Sequence, residues 1–393
     1  MTDKVKHAIV IGTLCSISYF TVYIGRNILS AVTPQMILNA GYTTEYIGSV
    51  SSMFFAAYAV GQLINGFIGE KIKARYMMSV GLIMAGLCNL LFPVVIDYQL
   101  VATLLYGMMG FFLAMIYAPM TKLVAENTEP IYATRCSLGY ESGALLGSPA
   151  AGIVAAMLSW YAAFYCSGIV LVFMGICCFI GILILEKKGI VKYNKYQASE
   201  KTSGNIKTLM ERRIVKFTLI AAITGVVRTS VVFWMPTYIS QYLGFDAEDS
   251  ALIFTVATLF ISLTAFISVF VYEKLHRNMD LTILISFMLA AGCFMGTYFI
   301  NHFIGNVICL VLAIMSSNSA ACMLWSRYCP SLYDTGMVSS ATGFLDFINY
   351  MAAAAASALF ANAVSQIGWG NLILVWFALM ILGIVVSAPW KKH

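Results

Sequence analysis

Four ionisable residues sit where an apolar chain has no ordinary use for them. Arg26 lies in Tyr19-Phe-Thr-Val-Tyr-Ile-Gly-Arg-Asn-Ile-Leu-Ser-Ala-Val-Thr-Pro34, and Arg228 in Val226-Val-Arg-Thr-Ser-Val-Val-Phe-Trp-Met-Pro236. Glu141 and Asp346 occupy two further apolar stretches. An arginine at the centre of a bilayer costs at least ~2.5–3.5 kcal/mol on insertion scales, so something anionic must meet it. The guanidinium suits that task because its planar fork donates two parallel hydrogen bonds to a carboxylate or phosphate. It also stays charged when desolvated. Two such forks on separate helices form a candidate anion clamp. For Glu141 and Asp346 three readings stay open: a proton carrier, a resting counter-ion for the arginines, or hydrogen bonding to helix neighbours. Gln62, Asn65 and Asn349 are polar at the same depth, and either contact a ligand or bridge helices.

The elements that position these residues follow from composition. Of 393 residues, 61% are hydrophobic and 10% charged, against about 25% charged in soluble domains. Apolar runs near the ~20 residues that span a bilayer recur along the chain. They are continuous rather than alternating, so they read as helices and not barrel strands. Twelve spans are predicted, at 7–38, 45–68, 76–96, 99–124, 133–157, 160–185, 215–243, 248–272, 279–300, 303–326, 335–362 and 367–389. The first is too long for the apolar core of a signal peptide and lacks a clear cleavage site.

The net charge of +6 does not point to nucleic acid, because of where the charges fall. All but two of the 23 lysines and arginines lie at the chain ends or in alternate connections. The residues 186–216 are densest, and Glu45, Asp97, Asp246, Glu248 and Asp249 mark the opposite side. The positive-inside rule then places both termini in the cytoplasm of a multi-pass plasma (bacterial inner) membrane protein. The two basic residues left over are Arg26 and Arg228. The polar stretch 188–214 reads as a cytoplasmic linker between six-helix bundles at 1–187 and 215–393. The ten cysteines lack zinc spacing and read as small buried hydrophobes. No nucleophile elbow, metal-ligand cluster or phosphate-binding glycine loop is present, so neither an enzyme nor a cofactor is expected.

The halves repeat in parallel. Arg26 and Pro34 match Arg228 and Pro236, and after one insertion Gly41, Glu45, Glu70 and Lys71 match Gly244, Glu248, Glu273 and Lys274. Parallel repeats place a substrate site near midplane where the halves meet, which would set Arg26 facing Arg228.

At these residues the chain resembles the major facilitator superfamily. Gly66-Phe-Ile-Gly-Glu-Lys-Ile-Lys-Ala-Arg75 is similar to that superfamily's glycine–acid–base inner loop, with Glu70, Lys71 and Arg75 as its charged members. The resemblance narrows to the organophosphate:phosphate antiporters, which include glycerol-3-phosphate and hexose-phosphate transporters. Tyr19, Tyr23, Arg26 and Pro34 resemble that family's first span, and Tyr58 its second. Arg228, Trp234, Pro236 and Tyr238 resemble its seventh span, Gly343-Phe344 and Tyr350 its eleventh, and Ile367-Gly-Trp369 its last outer loop. It implies a twelve-helix fold working by alternating access. It also implies an anion bound by the arginines, and a cavity lined by Tyr19, Tyr23, Tyr58, Trp234, Tyr238 and Tyr350; Gln62 is a substrate-binding candidate from its polarity alone.

Asn27, Gln62, Ser142 and Gly225 depart from the pattern: the family usually has lysine at the first and tyrosine at the last, and its glycerol-3-phosphate members have lysine where Gln62 stands and histidine near where Ser142 stands. The auxiliary cations are absent while the arginines remain. The expected function is secondary transport of a small organic anion or organophosphate. Alternatives are a proton-coupled carboxylate carrier using Glu141 or Asp346, and a non-transporting organophosphate sensor. The expected partners are the anion, protons or inorganic phosphate as coupling species, and the lipid bilayer, with no nucleic acid and a monomeric chain.

Overall fold

A computed structural model describes residues 3–69, 72–193, 206–332 and 338–388. Its regular structure is helical throughout the described residues. Ten helical segments are long and apolar enough to cross a bilayer. The first half holds α1 (Asp3–Leu38), α2 (Thr44–Gly69), α3 (Ala74–Val95), α4 (Gln99–Leu113), α5 (Tyr117–Asn127), α6 (Pro130–Met157) and α7 (Trp160–Lys187). The short α8 (Ile206–Glu211) precedes α9 (Ile214–Gly225) and α10 (Val232–Gln241). Then come α11 (Ala247–Ser262), α12 (Thr264–Lys274), α13 (Met279–Phe299), α14 (Phe303–Met323), α15 (Cys329–Ser331) and α16 (Val338–Ser387).

Helices α4 and α5 make one interrupted span, as do α11 and α12. Helices α9 and α10 are joined through a π-helical turn at Val226–Val231, and α14 and α15 through one at Leu324–Tyr328. Helix α6 adds 28 residues. The long α16 is interrupted at Gly368, where φ 76° and ψ 169° leave helical geometry. These segments are consistent with the twelve read from the sequence. One boundary differs. The expected break at 363–366 is helical, and the chain turns only at Gly368, whose positive φ a residue with a side chain adopts poorly.

The repeat is visible in the backbone. Gly41 and Gly244, matched in sequence, are both left-handed, at φ 77° and 81°. Each is followed by a helix with an acid in its first turn, Glu45 in α2 and Glu248 in α11. An acid there complements the positive end of the helix dipole.

The chain forms two compact units. One holds Met1–Gln197 with Phe245–Leu259, the other Ala198–Gly244 with Phe260–His393. In the first, α1 packs on α6 through glycines spaced four apart. A Cβ at Gly143 would lie 2.6 Å from the Ser16 carbonyl oxygen, and one at Gly147 would overlap Tyr23 and lie 2.9 Å from the Phe20 carbonyl oxygen. Small residues let transmembrane helices approach to backbone contact, where dispersion holds them without help from water. Gly143→Leu should therefore push α1 off α6 and cost on the order of 2–3 kcal/mol. Thermal unfolding of the detergent-solubilised protein reads this directly; an unchanged midpoint would remove the stripe from the account of the fold.

Near the connection between α2 and α3, Arg75 Nη1 pairs with Glu186 Oε2 at 2.6 Å, with both side chains largely covered. Tyr193 donates its hydroxyl to Glu186 Oε1 at 2.9 Å. Burial first, then that hydrogen bond to a carboxylate, push the Tyr193 phenol well above its ordinary range, so it remains a donor at physiological pH. Arg75 thus ties the start of α3 to the end of α7. Glu70 and Lys71, expected to act with it, lie outside the described residues.

Candidate functional site

In the first unit the site grows from α1. Arg26 is half-buried, and its guanidinium carbon lies 5.0 Å from the centroid of the Tyr58 ring and 5.5 Å from that of Tyr23. A cation over an aromatic face gains on the order of 0.5–2 kcal/mol, more as water is removed. The rings orient the fork without neutralising it. Tyr23 is held in turn by Tyr19, at 5.1 Å between centroids. Tyr19 also meets Tyr117 at 5.5 Å and Tyr140 at 6.1 Å.

Tyr117 and Tyr140 join this group although sequence reasoning does not single them out. Tyr117 opens α5 directly after the interruption of the fourth span, and Tyr140 lies one residue past Gly139 in the glycine stripe of α6. A tyrosine beside a break or beside a small-residue stripe is the available signal. Helix register then brings Tyr19 and Tyr23, four residues apart, onto one face of α1.

Asn27 points elsewhere. Its amide Nδ2 donates to the Tyr23 carbonyl oxygen at 2.7 Å and to Ser148 Oγ at 3.0 Å. It fastens α1 to α6 and belongs to the scaffold behind Arg26. Ser142, where the family's histidine would stand, turns its hydroxyl back to the Leu138 carbonyl oxygen. Gln62 is half-buried. Asn65 is buried, with Nδ2 3.4 Å from the Phe111 carbonyl oxygen and no partner for Oδ1. Glu141 lies on α6, but its side chain is outside the described residues.

In the second unit Arg228 sits in the π-helical turn. Val226, Val227, Thr229, Ser230 and Val231 around it are buried, and Arg228 alone of that turn is exposed. A π turn adds a residue to the helical repeat and so rotates the side chains beyond it, and such turns cluster at functional sites. The turn is pinned on α16, where Ser230 Oγ donates to the Ala353 carbonyl oxygen at 2.6 Å. A Cβ at Gly225 would overlap the carbonyl oxygen of Asn349 and lie 2.8 Å from its Oδ1. The missing tyrosine at 225 thus has a packing cause. Asp346 is half-buried one turn before Asn349 on α16, and Tyr350 is 8% exposed.

Trp234 and Tyr238 are fully buried. The Tyr238 hydroxyl donates to Asn306 Oδ1 at 2.7 Å, and Asn306 Nδ2 donates to the carbonyl oxygens of Thr297 at 2.8 Å and Ile300 at 3.0 Å. Tyr238 therefore joins α10 to α14 and, through Asn306, to the C-terminal end of α13. The structure brings Arg26, Tyr19, Tyr23 and Tyr58 together in one unit, and Arg228, Asp346, Asn349 and Tyr350 onto the neighbouring helices of the other. No group of three or more metal-ligating side chains occurs among the described residues.

Comparisons with known proteins agree with this architecture. The sequence model of the Major Facilitator Superfamily matches residues 15–357. The chain is similar to a probable hexose phosphate transport protein of Chlamydia pneumoniae, 24% identical over 164 residues, covering 41% of this chain and 36% of that one. That match thus spans about a third of the relative's length. Similarity to the glycerol-3-phosphate transporter of Bacillus subtilis is weaker but longer, 21% identical over 95% of this chain and 89% of that one. Among solved structures, a D-xylose–proton symporter superposes with a TM-score of 0.73 over 96% of this chain and 97% of its own, at 11% identity. At that identity the likeness concerns the fold.

Proposed function

The chain belongs to the Major Facilitator Superfamily, and from that premise we propose that it moves a small organic anion or organophosphate across a membrane by alternating access. Arg26 and Arg228 are the residues that take the anion's charge. The observation that carries the reading is their setting. One is a half-buried guanidinium within cation–π distance of two tyrosine rings, and the other is the single exposed residue of a buried π-helical turn. Each of these matched arginines is presented by a rigid helix rather than a loop, as a site near midplane requires. The functions named for the relatives, transport of hexose phosphate and of glycerol 3-phosphate, favour a phosphate headgroup.

A second reading, a proton-coupled carboxylate carrier, draws on Asp346. It lies on the helix that meets the Arg228 turn. That reading calls for uptake that depends on pH and is lost in Asp346→Asn. Exchange calls instead for flux stimulated by anion on the far side.

The deciding experiment is a thermal-stability screen of the purified protein against phosphate, phosphate esters and carboxylates. A ligand that binds only the folded state stabilises it by about 2.7 kcal/mol at a hundredfold excess over its dissociation constant. One anion class should raise the unfolding midpoint, and Arg26→Ala should erase the rise. A stabilising anion that acts equally on Arg26→Ala sinks the assignment. Flux in proteoliposomes then separates a carrier from a sensor, which would bind without transport.

A further inference from the structure

Two rings lie against the guanidinium of Arg26, Tyr58 at 5.0 Å and Tyr23 at 5.5 Å, and each is braced from a different half of the interrupted fourth span. Tyr58 stacks on Phe54, with centroids 6.1 Å apart, and Phe54 meets Tyr106 of α4 at 5.3 Å. A Cβ at Gly110, also on α4, would overlap the Phe54 carbonyl oxygen, so α2 and α4 touch at backbone level there. Tyr23 leans instead on Tyr19, and Tyr19 meets Tyr117, the first residue of α5. Tyr140 of α6 closes on both, 6.1 Å from Tyr19 and 6.2 Å from Tyr117.

The interruption between α4 and α5 has a cause in the sequence and is held by packing. Pro119 has no N–H to give the Met115 carbonyl oxygen, and its ring crowds that oxygen. The chain tightens just before it: the Met115 N–H donates to the Phe112 carbonyl oxygen at 3.1 Å, three residues back rather than four. The Phe111 carbonyl oxygen thereby loses its helical donor, and the buried Asn65 turns Nδ2 toward it at 3.4 Å. Glycines on α2 and α3 grip the same stretch. A Cβ at Gly61 would lie 2.8 Å from the Ala114 Cβ, and one at Gly81 would lie 2.8 Å from the Phe112 carbonyl oxygen. The junction is thus clamped, and it fixes where the brace behind Tyr58 stands relative to the brace behind Tyr23.

We propose that Tyr117 is a positioning residue for anion binding: placed by the interruption of the fourth span, it holds Tyr19 and through it the Tyr23 ring that orients the Arg26 fork. The proposal rests on the anion reading of Arg26. A guanidinium gives two parallel bonds to a headgroup only in one plane, so a tilted ring costs alignment even where the charge is kept. Tyr117 acts through Tyr19 and needs no contact with the anion.

The test titrates inorganic phosphate and acetate, one probe for each headgroup class, against the purified full-length chain and follows the unfolding midpoint. Tyr117→Ala should weaken binding of the stabilising probe by about tenfold, the upper end of what one aromatic pair contributes. Tyr117→Phe keeps the ring against Tyr19 and should stay within about twofold of the wild type. The alanine change is then repeated in Arg26→Lys. An ammonium is a compact point charge with no plane to align, so Tyr117→Ala should cost about twofold or less there. A tyrosine that only supported the fold would cost the same factor in both backgrounds. Equal losses in the two backgrounds, or wild-type affinity in Tyr117→Ala, overturn the positioning role and leave the Arg26 reading in place. A loss in Tyr117→Phe as large as in Tyr117→Ala also overturns it, because the effect would then belong to the hydroxyl. Should neither probe stabilise the wild type, or should a stabilising probe act equally on Arg26→Ala, the anion reading of Arg26 falls and the proposal with it.

Discussion

Arg228→Lys is expected to weaken anion binding by about 10- to 100-fold, the effect of a charged hydrogen bond worth roughly 1.5–3 kcal/mol, with the folded protein intact. The charge is conserved in this variant, so any loss reports on geometry. Lysine offers a compact ammonium on a flexible stem, whereas arginine offers a fork matched to two oxygens of one headgroup. The five other residues of the π-helical turn are buried, so the substitution leaves the packing of the turn on α16 untouched. The companion variant Arg26→Lys should lose as much, because the ammonium likewise lacks the two-pronged fork, although it can keep a cation–π contact with Tyr58 and Tyr23. Binding is measured by the ligand-induced thermal shift and flux by counterflow. Full affinity in Arg228→Lys would sink the claim of a two-bonded headgroup and leave only a point-charge attraction. Loss in Arg228→Lys with no loss in Arg26→Lys would assign the headgroup to the second unit and charge steering to the first.

Much of the fold is legible in the chain because a bilayer restricts what a polar residue can do. An apolar run of the right length can only be a helix, and a basic residue inside it must meet something, so Arg26 and Arg228 can be found by elimination. The repeat can be read because turns need particular residues. Gly41 and Gly244 are spaced like the arginines, and both prove to be left-handed. The remainder depends on rotation about helix axes. Every span is apolar nearly all round, so periodicity does not say which side chains of α10 are covered, and Trp234 and Tyr238 turn out to be fully buried. Tyr117 and Tyr140 are hidden for the same reason, among many tyrosines that the sequence does not distinguish. The π-helical turns at Val226–Val231 and Leu324–Tyr328 carry no sequence mark at all, although one of them aims Arg228. Asn27 reads in the sequence as a lost lysine, whereas its bond to Ser148 gives it a packing role.

Gly225 carries the sharpest conflict between family resemblance and packing. Resemblance alone suggests that Gly225→Tyr would return a binding residue, since the resembled family has tyrosine three positions before its second arginine. The structure calls for the opposite. A Cβ there would overlap the Asn349 carbonyl oxygen, a backbone atom within the helical α16 and not the end of a flexible side chain. Relief requires the whole α9 segment to move away from α16, which breaks the Ser230 bond to Ala353 and swings Arg228 out of register. Overpacking of this kind costs on the order of 3 kcal/mol. Gly225→Tyr is therefore expected to lower the thermal midpoint by several degrees and to abolish flux. Gly225→Ala should show a smaller loss in the same direction, because its single methyl meets the same carbonyl. A graded series, glycine above alanine above tyrosine in both stability and flux, ties the position to helix approach. Gain of anion affinity in Gly225→Tyr with an unchanged midpoint would mean that α9 and α16 stand far enough apart to admit a side chain, and that the family's tyrosine was lost without being replaced by a close contact.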